Sequence, residues 1–156
     1  MVEVLFYTLS TVGYKMNNND IFVGSNNKIT IQCEQSFSET KLSQITQSIN
    51  SSINGEPEIL IDEWLKLNGS VWKDFIFTNE DSFQKAEHKL LEELSKANTT
   101  AKRGYLVGSL FNEIEFLEVD AFLKQITEKT RVNEILWANS ASENDERSFI
   151  SLVLVD

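Results

Sequence analysis

A single cysteine, Cys33, and a single histidine, His88, stand among 156 residues. The chain can close neither an internal disulfide nor a Cys- or His-rich zinc site, so whatever it folds into must be held by buried apolar surface. The means are present. Hydrophobic residues make up 41% of the sequence and aromatics 10%, with Trp64, Trp72 and Trp137 among them, which is the composition of a chain with a core. At this length the expectation is one α+β domain over residues 1–156.

Charge narrows the partners. Lys and Arg number 14 against 24 Asp and Glu, a formal net charge of -10. A nucleic-acid backbone or an anionic membrane demands clustered cations, and here the basic residues are scattered. No apolar run approaches the roughly 20 residues of a membrane span. No basic residue precedes the short apolar run at 4–9, as a secretory signal would require. These features predict a cytoplasmic protein in a reducing compartment, with no nucleic-acid or membrane partner.

Periodicity supplies the elements. Residues 2–9 alternate as a strand does. Residues 15–20, rich in Asn, read as a loop. Ile21, Phe22 and Val23, a turn at 24–27, and Ile29, Ile31 and Cys33 at period two predict two strands joined by that turn, with Cys33 a buried small hydrophobe. Ser38 is placed to cap a helix bearing Leu42, Ile45, Ile49 and Ile53, with Phe37 positioned to staple against Leu42 and Asn54-Gly55 as its stop signal. Asn68-Gly69 predicts a tight hairpin between strands at 59–67 and 70–77, in which Glu63 faces Asp74. Thr78 and Asp81 are read as the start of a second helix, whose apolar face is Phe83, Ala86, Leu90, Leu91, Leu94 and Ala97; His88 lies on its opposite, solvated side. A strand follows within 105–116, broken at Gly108-Ser109. A third helix begins near Asp120 with Phe122, Leu123 and Ile126. Residues 132–138 and 149–155 are predicted to close the chain as a hairpin. The resulting order, β-β-β-α-β-β-α-β-α-β-β, predicts an α+β fold: an antiparallel or mixed sheet with about three helices packed mainly on one face. It lacks the strand–helix alternation and the glycine-rich loop of a doubly wound nucleotide-binding fold.

Catalytic groups are sparse. An exposed His88 and a buried Cys33 leave no Ser-His or Cys-His pair. Carboxylates remain, at Asp62, Glu63 and Asp74, and at Glu113, Glu115, Glu118 and Asp120. The second group is the most unusual local composition, because residues 104–123 hold four acids and no Lys or Arg. Glu143, Asp145 and Glu146 form a further acidic cluster in the connection before the last strand. Together, Glu113, Glu115, Glu118, Asp120, Glu143, Asp145 and Glu146 predict an acidic surface for a basic protein partner, steered by complementary charge. The function expected is therefore non-enzymatic, without cofactor or metal: a protein-binding module of the immunity-protein or inhibitor type. Two other readings remain open. One is a structural adaptor or chaperone-like subunit that binds through apolar surface, marked by exposed aromatics such as Trp64 or Tyr14 or by a hydrophobic edge strand. The other is an enzyme working with carboxylates alone.

Overall fold

The computed structural model describes residues 16–55, 57–97, 100–109, 116–141 and 147–156. The strand expected at 2–9 falls outside them. Among the described residues the chain forms strands β1 (Asn17–Val23), β2 (Asn27–Cys33), β3 (Trp72–Glu80), β4 (Arg103–Gly108), β5 (Glu134–Asn139) and β6 (Ser148–Val155). Its helices are α1 (Glu39–Asn54), α2 (Ile61–Leu65), α3 (Phe83–Ala97) and α4 (Phe116–Thr130).

The two-stranded ribbon β1–β2 forms as its alternation dictates. Ile21 pairs with Ile29 and Asn19 with Ile31, and Gly24 takes a φ of 69° in the turn. Side chains of Asn19, Ile21, Val23, Ile29, Ile31 and Cys33 are buried along one face. Residues 17–20, expected as loop, extend β1, because Asn19 is held from inside by the Cys33 thiol. Helix α1 starts where Ser38 predicts, its hydroxyl accepting the Lys41 N–H at 3.1 Å. It buries Ile45 and Ile49.

Four strands make a mixed sheet in the order β3-β6-β4-β5. β6 runs antiparallel to both neighbours, and β4 and β5 are parallel. A parallel pair needs a crossover, which α4 supplies. β6, with the sequence SFISLVLV, is buried at every position. It has no polar face because both of its faces are covered. Phe149, Val153 and Val155 belong to a core shared with α1, α2 and the β1–β2 ribbon, while Ile150, Leu152 and Leu154 belong to a core shared with α3 and α4.

The α+β class with a mixed sheet therefore holds, and three findings refine it. The helices, expected mainly on one face, divide between both. Residues 59–67 and 70–77 are not a hairpin: Ile61–Leu65 is a short helix that buries Trp64, whose Nε1 donates to Ser52 Oγ at 2.9 Å. Gly69 does adopt the positive φ its neighbour Asn68 advertised, 80°, but in a turn closed by Ser70 N–H on the Leu67 carbonyl at 2.9 Å. The turn then docks on β2, with Gly69 N–H donating to the Thr30 carbonyl and Thr30 N–H to Asn68 Oδ1. The last two strands form at their expected positions but do not pair, because β6 inserts between β3 and β4.

α3 begins at Phe83 rather than at Thr78. Thr78 stays in β3, and the cap is Ser82, whose hydroxyl accepts the Lys85 N–H. Its buried face is Phe83, Ala86, Leu90 and Leu94. α4 starts four residues before Asp120 and buries Phe122 and Ile126.

Candidate functional site

Strand order decides which backbone is left open. Among the described residues β3 is an edge strand, and along Trp72–Glu80 its only ladder is with β6. On β6, Phe149 turns its carbonyl to Ser109 of the β4 side. In antiparallel pairing the direction alternates, so Ile150, Leu152 and Leu154 face β3 and bond Thr78, Ile76 and Asp74. The amides and carbonyls of Phe75, Phe77 and Asn79 consequently point away from the sheet. One group at each of the two flanking positions is bonded from within the chain. Phe75 N–H donates to Asp74 Oδ1 at 2.7 Å, and the Asn79 carbonyl accepts from Arg147 Nη2 at 2.6 Å. Phe77, between them, offers an amide and a carbonyl that no described residue takes.

The edge lies at the floor of a groove of about 430 Å³ lined by Phe75, Phe77 and Thr78, with Lys41 and Gln44 of α1 on one wall and Lys89, Glu93 and Lys96 of α3 on the other. Lys41, Asp74 and Ala97 also line a second cleft of about 700 Å³ beside Trp72 and Cys33. Phe77 is half-buried and continues an aromatic ladder, its ring 5.4 Å from Phe149 and 6.5 Å from Phe75. Lys89 reaches the half-buried Glu80 at 3.4 Å, and Lys96 reaches the exposed Glu92 at 3.5 Å and Glu93 at 3.9 Å. Lys41 lies 5.2 Å from the Phe37 ring centre, with no carboxylate within ion-pair distance among the described residues.

The residues singled out by their acidity are placed otherwise. Glu113, Glu115, Glu143, Asp145 and Glu146 lie outside the described residues. Glu118 is exposed in the first turn of α4, where the helix dipole favours it. Asp120 pairs with Lys124 at 3.1 Å. Glu118 approaches Glu87 of α3, whose carboxyl is pushed above the usual range by burial first and by Glu118 second. Asp62 and Glu63 sit on α2, not across a hairpin from Asp74. Trp64, considered as an exposed anchor, is fully buried against Tyr105, ring centres 5.1 Å apart.

The two rare nucleophile candidates are where the sequence put them. Cys33 is buried, its sulfur accepting from Asn19 Nδ2 at 3.0 Å and donating to the Gln35 carbonyl at 2.8 Å, and burial pushes its thiol pKa up. His88 is 84% exposed, 3.9 Å from Glu92. No helix among the described residues is long and apolar enough to cross a membrane.

The groove was missed by sequence reasoning, because an edge is a property of strand order. One signal was visible: Lys89 and Lys96, seven residues apart, share a helix face.

No family model and no curated protein matches the chain. Among solved structures it is similar to FtsZ of M. jannaschii. The empty FtsZ dimer is 12% identical with a TM-score of 0.53, covering 76% of this chain and 37% of that one. The W319Y mutant of the same protein is 11% identical with a TM-score of 0.50, covering 75% and 37%. The chain thus matches little more than a third of FtsZ's length, and at such identity the likeness concerns the fold. It corrects the expectation of an immunity-type inhibitor of a basic protein: the sheet is of the kind found in FtsZ.

Proposed function

We propose that this chain is a non-catalytic structural subunit, cytoplasmic in setting, that enters a protein assembly by lending the free edge of β3 to another chain. The observation that carries this reading is the outward amide and carbonyl of Phe77, taken by no described residue, in a groove where the flanking Phe75 N–H and Asn79 carbonyl are bonded from within the chain. An open strand edge is a template for another strand unless it is blunted, and here the internal bonds reach the Phe75 N–H and the Asn79 carbonyl but leave both groups of Phe77. An assembly role also agrees with the FtsZ likeness, since that structure is of a dimer. A non-catalytic role agrees with a thiol held in its protonated form at Cys33 and a histidine turned to solvent at His88.

The test is affinity capture from native extract with the wild-type chain, Phe77→Pro and Phe77→Ala. Proline removes the outward donor without touching the β6 ladder, and alanine controls for loss of the ring. Proteins retained by wild type and by Phe77→Ala should be lost from Phe77→Pro. Equal retention by all three would remove the edge from the proposed role.

A further inference from the structure

We infer that the segment received by the β3 edge is an extended strand whose side chains alternate acidic and apolar; the inference rests on the assembly role proposed for the same edge. The two walls of the groove differ in chemistry, and a strand laid along β3 must present alternate side chains to each. Beside Phe75 and Phe77 it meets the face shared with α1, where the half-buried Phe77 ring extends the Phe75–Phe77–Phe149 ladder and favours apolar contact. Beside Ile76 and Thr78 it meets the face shared with α3, whose groove wall carries Lys89 and Lys96 against a single Glu93.

The groove concentrates cations in an acidic chain. Lys41, Lys89 and Lys96 line it with Asp74 and Glu93, in a chain whose net charge is -10. Lys96 pairs with Glu92 and Glu93 at 3.5 and 3.9 Å on exposed side chains, and Lys89 with the half-buried Glu80 at 3.4 Å. Exposed pairs hold their partners weakly, so an incoming carboxylate can replace Glu92 or Glu93 at little cost. A second copy of β3 is the poorer occupant, because antiparallel pairing about Phe77 would bring a second Lys89 and Lys96 to the same groove. The strand is held by main-chain bonds to Phe77 and selected by its alternating side chains, as in strand addition generally.

The test uses a fluorescein-labelled peptide of four Glu-Val repeats, read by anisotropy against the full chain. Its comparators are four Lys-Val repeats, a block isomer of four Glu followed by four Val, and the Glu-Val peptide N-methylated at alternate amides in each of the two registers. The Glu-Val peptide should bind at least tenfold tighter than both the Lys-Val and block peptides, and N-methylation in the register facing β3 should abolish binding. The double reversal Lys89→Glu with Lys96→Glu, at exposed positions, should invert the preference between Glu-Val and Lys-Val. Absence of Glu-Val binding, indifference to N-methylation in both registers, or preference for Lys-Val by the wild type would each overturn the inference. If the peptide fails while capture still depends on the Phe77 amide, only the acidic class falls; if capture is indifferent to Phe77→Pro, the assembly reading falls with it.

Discussion

Trp64 ties three elements together at one side chain. It sits on α2, donates to Ser52 of α1 and stacks on Tyr105 of β4. Trp64→Ala would leave a void and remove the bond that Ser52 Oγ accepts, while its hydroxyl still donates to the Ile49 carbonyl, and should lower unfolding free energy by about 3–5 kcal/mol in denaturant titration. Glu87 behaves oppositely. Its carboxyl is held above the usual range by burial and by Glu118, so the folded state prefers it protonated, and stability falls as pH rises through the ordinary glutamate value toward the raised one. Glu87→Gln should therefore melt at a higher temperature than wild type at pH 7, with the difference closing below about pH 4. At this scale the sequence was informative wherever solvation alone decided the outcome: Cys33 and His88 lie inside and outside as their neighbours in the period dictate. Trp64 was not legible, since its burial depends on α1 and β4 arriving at the same place.

Elements defined by local signals came through. The β1–β2 turn, the Ser38 cap and the Phe83–Leu94 face each lie within one window of sequence. The stretch 59–67 did not, because a short apolar run fits a strand or a helical turn equally, and Asn68-Gly69 accepts any turn that needs a positive φ at its glycine. Strand pairing was the larger loss: β5 and β6 exist where predicted, but their partners are chosen by the whole sheet. Two glycines in β4 offer a test of that packing. A Cβ at Gly108 would lie 2.6 Å from the Phe149 carbonyl oxygen, whereas at Gly104 its nearest neighbours are side-chain carbons at 3.6 Å. Gly108→Ala should cost about 1–3 kcal/mol by overpacking the β4–β6 ladder. Gly104→Ala should be close to neutral, or stabilising by up to about 1 kcal/mol. Thermal melts of the two variants separate these outcomes.

The molecule as a whole is a sheet covered on both faces and open along the Phe77 stretch of β3. Amide hydrogen exchange should map that contrast directly. Ile150, Leu152 and Leu154 should exchange only through global opening, while Phe77 exchanges far faster than Ile76 and Thr78 on either side of it. Equal protection across residues 76–78 would mean the edge is closed. The acidic composition was plain in the sequence, yet the groove gathers three lysines from two helices beside a strand, a grouping that the sequence could not show. β6 has one more consequence, for synthesis. It joins β3 to β4, yet it leaves the ribosome after both. Until residues 148–155 emerge, β3 has no ladder among the described residues, and the β4–α4–β5 unit lacks the described partner on one flank of β4. The sheet therefore closes late and in one step, and a nascent chain stalled before Ser148 would present two sticky halves to whatever chaperone meets it first.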